Sequence, residues 1–478
     1  MMGHQSKQPR LWSYNVNLDR RVRADHPLRQ IERLVDMGFV YREVKGRYGT
    51  RGNVSVDPVV ILKMMLLLFL YDVRSERELM RTIPERLDWM WFLGYGMDDE
   101  VPDHSVLSKA RRRWGTGLFE RLFERVLRLC IGAGLIDGEK LLVDASLVRA
   151  DASKNSIREL PAATVRKMRE AMGRLDEGEP ADEAPAGGTN ATHVSTTDPD
   201  ATLAKHAGGR AVPSYKNHRG IDGKAGVITA VSTTTGAINE AHELPNLLGQ
   251  HRERIGQLPK AVVADSKYGT VENYTECQKL GMRTHMADLA ATQQNHPRRE
   301  GIFPVEAFGY DRCRDVFICP AGEELRRRKF CVGRGHYEYI ARAAACAACP
   351  LRPECTRSKI GRTLKRHPEQ DLLDRARRQA ASPAARLDRK RRQHLQERNF
   401  ADAANNHGFK RARWRGLWRQ RIQDLLIATL QNLRILLRNT SATVTQSLAR
   451  LLERVSTALG HFGRILASFR PVCVCDPI

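Results

Sequence analysis

Two short apolar runs, each ending in a single aspartate, constrain the fold of this chain more than any other feature of its sequence. Residues 141–143 lead into Asp144, and residues 261–264 lead into Asp265. A short apolar run that ends in turn residues and precedes a helix is typical of a buried strand. Open α/β sheets carry their chemistry at the carboxyl ends of such strands. We therefore predict two strands that each deliver one carboxylate; the alternative for Asp265 is a cap on the following helix.

The segments around these runs predict a mixed sheet flanked by helices. Residues 214–236 have the pattern of a β-hairpin with IDGKAG as its turn. A helix over 241–258 then leads to the Asp265 strand, a second helix over 271–280 and a last strand at 283–287. This β-β-β-α-β-α-β order is that of ribonuclease H-like folds, so we predict an α/β fold of that class.

A carboxylate far downstream is the candidate for a third metal ligand beside the two aspartates. Glu397 is an isolated acid in a basic segment that reads as a helix, with Asp388 and Asp402 as the fallback acids. Two aspartates on strands and one glutamate on a helix form an arrangement that holds two divalent cations for phosphoryl transfer. The sequence therefore indicates a site for two Mg²⁺ or Mn²⁺ ions.

The charge balance narrows the class of partner. The chain has 478 residues with 79 Lys plus Arg and 55 Asp plus Glu, which gives a net charge of +24. Such an excess favours a polyanionic partner, and nucleic acid is the usual one. No apolar stretch approaches the ~20 residues of a membrane span, and the first residues lack the apolar core of a signal peptide. We expect a cytoplasmic, nucleoid-associated protein without a membrane partner.

Clustered cysteines predict either a metal site or a set of reduced thiols. Cys346 and Cys349 have the spacing of a metal knuckle, Cys355 follows closely, and Cys319 or Cys331 would supply a fourth ligand. A tetrahedral structural zinc site needs four such ligands. The alternative is a reduced, partly buried cysteine set without metal.

Composition shifts divide the chain into five parts. The N-terminal part either reads DNA through a helix-turn-helix or only packs against the core. The predicted parts are an all-helical N-terminal domain at 1–135, the first part of the α/β core at 136–289 with a flexible insertion at 156–205, a cysteine-rich insertion at 290–370, a basic helical segment of the core at 371–440 and a helical tail at 441–478.

Several of these motifs together resemble a known family. They are LLVDASLVRADASKN, STTDPDA, VVADSKYGTVENY, CAACPLRPEC and ERNFADAANNHGFKRARWRGL followed by LLIATLQNLRIL. In this order they are similar to the bacterial insertion-sequence transposases of the DDE type that carry an N-terminal helical domain of the DUF772 kind. The resemblance extends over about residues 20–440.

The resemblance implies an RNase H-like catalytic domain with Asp144, Asp265 and Glu397 as the metal-binding triad. It implies double-stranded DNA as the partner, both the terminal inverted repeats of the element and the target, and a homo-oligomer on that DNA. Basic residues near Glu397 would hold phosphates. These are Arg392, Arg398, Lys410, Arg411, Arg413 and Arg415.

Two other functions stay open at this point. The chain could be a catalytically silent DNA-binding regulator derived from a transposase, although a binder has no need for the intact triad. It could also be a nuclease that cuts DNA without strand transfer. Cleavage and joining of labelled element-end DNA would separate the three.

Overall fold

The computed structural model describes residues 17–49, 54–174, 188–205, 209–288 and 301–439. The predicted helical tail at 441–478 lies outside these residues.

The N-terminal part is all-helical, as the sequence predicts. Its most apolar helix, Pro58–Leu70, is capped by Asp57. The carboxylate of Asp57 accepts a hydrogen bond from the backbone N–H of Val59 at 2.7 Å and so satisfies an otherwise unpaired donor. No helix among the described residues is long and apolar enough to cross a membrane. The helices are Leu18–Arg21, Pro27–Leu34, Phe39–Val44, Pro58–Leu70, Glu76–Thr82, Leu87–Leu93, Ser105–Trp114 and Gly117–Gly132.

A six-stranded mixed sheet forms the centre of the molecule. Five strands lie in the order β6-β5-β1-β7-β8, and β4 pairs with the start of β5. β5 is antiparallel to both β1 and β6. β7 lies between β1 and β8 and is parallel to both. This is the RNase H-like arrangement predicted from the order of elements. The strands are β1 Lys140–Arg149, β4 Thr202–Lys205, β5 Ala211–Asp222, β6 Ile228–Thr235, β7 Ala261–Ala264 and β8 Arg283–Met286; β2 Ile157–Glu159 and β3 His193–Ser195 form a separate pair.

The two faces of the sheet bury different partners because strand side chains alternate. Leu142 and Val263 face the N-terminal helices and the C-terminal helix at 417–439. Leu141 and Val262 face the opposite layer. The helices that follow the N-terminal part are Ala162–Arg174, Thr189–Thr192, Leu244–Ile255, Val271–Lys279, Ala343–Ala347, Arg352–Cys355, Gln370–Ala381, Pro383–His407 and 417–439.

The segment predicted as a flexible insertion, 156–205, contains regular structure in its described parts. Val165 on helix Ala162–Arg174 is buried, and Arg169 donates to the carbonyls of Pro199 and Asn190, each at 3.1 Å. The acidic, Gly-rich composition suggested flexibility, but these hydrogen bonds join the two described flanks of the insertion to each other. Residues 175–187 lie outside the described part.

The cysteine-rich segment forms a small separate sheet. Its five antiparallel strands lie in the order β13-β12-β11-β10-β9 around a core of their own that includes Leu325 and Tyr339. The strands are β9 Gly309–Asp311, β10 Val316–Ile318, β11 Glu324–Cys331, β12 His336–Ile340 and β13 Thr363–Arg366.

The N-terminal helices share a core with the α/β part. Trp414 lies edge-on to Phe69 with ring centroids 5.5 Å apart, and its indole N–H donates to Glu76 at 3.1 Å. Arg111 is buried against the same indole, 3.9 Å from the ring centroid. These contacts show that at least this edge of the N-terminal part packs against the core.

Three buried histidines are held neutral by the fold. Burial lowers the pKa of His218 to about 3 and the pKa values of His251 and His407 to about 4. The His407 ring donates from Nδ1 to the carbonyl of Phe69 at 2.8 Å, which ties the long helix Pro383–His407 to the N-terminal helices.

Acidification should destabilise the protein through these histidines. Between about pH 6.5 and 4, these histidines are protonated in the unfolded chain but stay neutral in the folded chain. The free energy of unfolding therefore falls as pH falls, by up to about 1.4 kcal/mol per pH unit for each histidine. His407→Gln should reduce this slope by about 1 kcal/mol per pH unit in chemical denaturation. His394→Gln, an exposed histidine on the same helix, is the matched control. An unchanged slope in His407→Gln would show that His407 is not held neutral.

Candidate metal-dependent active site

Asp144 and Asp265 lie side by side in the central sheet. Leu142 pairs with Val263 in the parallel register of β1 and β7, so each aspartate is two residues beyond that pair. The backbone at Asp265 is still extended. Neighbouring strands are about 4.8 Å apart, and positions level with each other in parallel strands point to the same face. Both carboxylates are therefore directed to the face that helix Pro383–His407 covers.

Asp265 also caps the short helical turn that follows it, since its carboxylate accepts from the backbone N–H of Lys267 at 2.9 Å. The cap and the strand-end position, which the sequence presented as alternatives, are thus both present. A single bond of this kind uses one carboxylate oxygen and leaves lone pairs for another ligand.

Arg392 binds Asp144 from the long helix. Its guanidinium is 2.8 Å from Asp144 Oδ2 and also donates to the carbonyl of Val143 at 3.3 Å. The pKa of Asp144 is raised, chiefly because burial disfavours the charged carboxylate; Arg392 opposes the rise, while Asp265 and Glu240 add to it. Burial thus disfavours the charged form of Asp144, and a bound cation would stabilise that form.

Glu240 is an acid of this site that sequence reasoning missed. It is 11% exposed and accepts from Lys267 Nζ at 3.0 Å, with Lys216 Nζ 3.6 Å away. It comes from the turn Glu240–Glu243 after β6, and only the tertiary fold brings that turn to Asp265. No local sequence signal distinguishes Glu240 from an ordinary surface glutamate.

Tyr268 was also missed. Its hydroxyl is buried and has no hydrogen-bond partner within the part of the chain that the structure describes. Burial raises the pKa of Tyr268 well above its ordinary value, and Glu240, Asp144 and Asp265 reinforce that rise. An uncharged, buried hydroxyl therefore lies within electrostatic range of three carboxylates.

The side chain of Glu397 does not reach the pair formed by Asp144 and Asp265. It is exposed and accepts from Gln393 at 2.9 Å. Five residues separate it from Arg392, which at 100° per residue places it about 140° around the helix from the side chain that reaches Asp144. Among the described residues, the oxygens of Asp144, Asp265 and Glu397 do not form a group within 4.8 Å of one another.

The two fallback acids, Asp388 and Asp402, are paired with residues outside this site. Asp388 is 2.8 Å from both Lys140 and His285. Asp402 accepts from Arg434 at 3.1 Å and from Gln431 at 3.0 Å. Each is neutralised by a partner that holds the helix in place.

The predicted phosphate-binding residues divide into two groups. Lys410 donates to Ser146 at 2.7 Å, and Arg411 and Arg415 are 73% and 51% exposed beside Asp151. Arg398 is exposed as well. By contrast, Arg392 holds Asp144, and Arg413 is 11% exposed and pairs with Asp72. The guanidinium of Arg413 therefore serves packing between the N-terminal helices and the core.

Four cysteines of the cysteine-rich segment line one pocket, although no three of their sulfurs lie within 4.8 Å of one another. The pKa of Cys355 is raised mainly by burial, with Arg362 opposing and three other thiols reinforcing the rise. The four are Cys319, Cys346, Cys349 and Cys355. Cys331 does not line this pocket, so Cys319 is the better placed of the two candidates for a fourth ligand.

Comparison with protein families now gives an independent result. Residues 16–113 match the transposase domain DUF772, and residues 318–437 match a transposase DDE domain. The chain is thus similar to transposases in two separate stretches. The resemblance to transposases and the RNase H-like fold class are confirmed.

The two matched stretches cover less than half of the chain. The DDE match includes Glu397 but neither aspartate, so the sheet register is the separate evidence for that pair. DDE transposase domains generally use divalent metals. No curated protein matches the chain.

The paired aspartates should bind a divalent cation without DNA. We expect Asp144→Asn and Asp265→Asn each to weaken Mn²⁺ binding at least tenfold, because each removes a charged oxygen ligand. Electron paramagnetic resonance of free Mn²⁺ measures this directly. Asp151→Asn, which alters an acid beyond the end of β1, is the control and should bind as the unaltered protein does. Equal binding by Asp144→Asn would remove Asp144 from the site.

Proposed function

We propose that this chain is a transposase that binds the ends of an insertion element and catalyses DNA cleavage and strand transfer with divalent metal ions held by Asp144, Asp265 and Glu397. The observation that carries the proposal is the level position of Asp144 and Asp265 on two parallel neighbouring strands. The transposase DDE match, which includes Glu397, supports the same chemistry.

The residues present fit two Mg²⁺ or Mn²⁺ ions. The donors are carboxylate oxygens, which hard cations prefer. The pKa of Asp144 is raised chiefly by burial, and a bound cation would stabilise its charged form. When bound, such ions lower the pKa of an attacking hydroxyl and stabilise the leaving oxygen. Asp144, Asp265 and Glu397 would together hold the ions.

The protein's own side chains prepare this site. Arg392 would orient Asp144 through their ion pair, while a hydrogen bond to the Val143 carbonyl holds the guanidinium. The Tyr268 hydroxyl supplies a buried donor beside the carboxylates. For Glu397 to reach the pair, the exposed face of its helix must turn or its side chain must extend when DNA and metal are present.

A basic track leads away from the aspartates. Lys410 contacts Ser146, two residues beyond Asp144 and about 7 Å along the strand. Arg411 pairs through its backbone with Arg149 at the end of β1, and Arg415 lies beside Asp151 just beyond. A DNA strand with its scissile phosphate at Asp144 would meet these cations in sequence, so we propose double-stranded DNA as the partner.

The identity of the third acid can be tested by activity. With labelled element-end DNA and Mg²⁺, Glu397→Gln should lower cleavage at least a hundredfold while DNA binding is retained, because a metal ligand is lost without a change in the basic track. Glu240→Gln should retain cleavage within about tenfold. The reverse ranking would make Glu240 the third ligand. Cleavage without joined products would favour a nuclease, and binding without cleavage a silent regulator.

The basic track can be tested by salt dependence. Arg411→Ala with Arg415→Ala should weaken binding to all DNA sequences and reduce the slope of log K against log salt by about 2, since each lost phosphate contact removes about 0.9. The matched control is Arg166→Ala with Lys167→Ala, which removes the same charge from an exposed helix elsewhere. Equal slopes in the two double variants would place the DNA elsewhere.

A further inference from the structure

The hairpin formed by β11 and β12 gathers three metal-binding side chains at its tip. Cys331 pairs directly with His336, and Glu338 is two residues beyond His336 on the same face. One ligand atom from each of the three lies within 4.8 Å of the other two. The chain reverses through Val332–Arg334 and Gly335, whose φ of 59° is the left-handed conformation that glycine tolerates.

The imidazole of His336 is oriented for a ligand. Its Nδ1 lies 3.1 Å from the carbonyl of Arg334 and donates a hydrogen bond there, so Nε2 carries the free lone pair. Within the described residues, Nε2 is buried and has no hydrogen-bond partner. A histidine that donates one ring N–H to a carbonyl and presents the other nitrogen is the usual form of a metal ligand.

We propose that Cys331, His336 and Glu338 bind one Zn²⁺ ion. A thiolate, an imidazole and a carboxylate together match the ligand chemistry of zinc. The two anionic ligands would neutralise the divalent charge, and water would complete a tetrahedral shell. Lys329 Nζ, 3.6 Å from Glu338, is the competing cation and would have to release that carboxylate.

This site is separate from the four-cysteine cluster. The pocket lined by those cysteines includes Leu325 and Ala341, near the start of β11 and just after the end of β12. Cys331 lies six residues further along β11, about 20 Å away at 3.4 Å per residue. The two groups therefore occupy opposite ends of one hairpin, and a metal at each end would fix its length and twist.

The zinc content of the full-length protein tests the proposal. All proteins are purified under reducing conditions from zinc-supplemented medium, and their zinc is measured by elemental analysis. The Cys331→Ser and His336→Gln variants should each contain about one zinc per chain less than the unaltered protein. Cys313→Ser, which alters an exposed cysteine of neither group, should lose none. The zinc content of Cys349→Ser shows whether the four-cysteine cluster holds zinc. The decrease in zinc content caused by Cys331→Ser should be the same in either case.

Loading with Co²⁺ gives a second readout. The thiolate-to-cobalt absorption of the unaltered protein should exceed that of Cys331→Ser, whereas Cys313→Ser should be indistinguishable from the unaltered protein. Equal zinc content and equal absorption in Cys331→Ser and the unaltered protein would overturn the proposal. Neither measurement depends on DNA cleavage, so the result stands apart from the function proposed above.

Discussion

The parallel register between β1 and β7 is the constraint on which the site depends. Because Leu142 is level with Val263, Asp144 and Asp265 are level with each other on one face. A shift of one residue in either strand would send one aspartate to the opposite face and expose part of the core. The apolar residues that precede each aspartate therefore hold the register and place two carboxylates about one strand spacing apart.

The long helix Pro383–His407 supports this pair from outside the sheet. Asp388 anchors its start to Lys140 and His285, and Gln396 donates to the carbonyl of Leu142 at 2.8 Å. Between these anchors, Arg392 meets Asp144. A buried ion pair of this type gives little net stability, so its value lies in orienting the carboxylate. The same helix ends at His407, which bonds the N-terminal helices, and so links them to the site.

The sequence predicted the elements that local pattern encodes. Apolar runs ending in Asp144 and Asp265, the hairpin between them and the order of helices were sufficient to predict the RNase H-like fold class. The family match then confirmed the transposase resemblance. The assignment of Glu397 as third ligand remains a prediction, because its direction depends on the rotation of a helix whose apolar pattern is weak.

Contacts between distant segments could not be read from the sequence. Glu240 gains its place near the aspartates only through packing of the turn after β6. Arg413 looks like a phosphate ligand in a basic segment, yet its partner Asp72 is some 340 residues earlier in the chain. Cys319 rather than Cys331 joins the cluster because β10 and β11 fold back on each other. The described structure within 156–205 likewise depends on tertiary bonds to Arg169.

The most direct test of the central claim is a crystal structure of the protein with Mn²⁺ and an element-end duplex, with anomalous scattering to locate the metal. The account predicts an anomalous peak with oxygen atoms of both Asp144 and Asp265 as ligands, at about 2.0–2.6 Å, and with Glu397 turned toward it. A peak that contacts neither aspartate, or well-ordered DNA at the pair without metal, would contradict it.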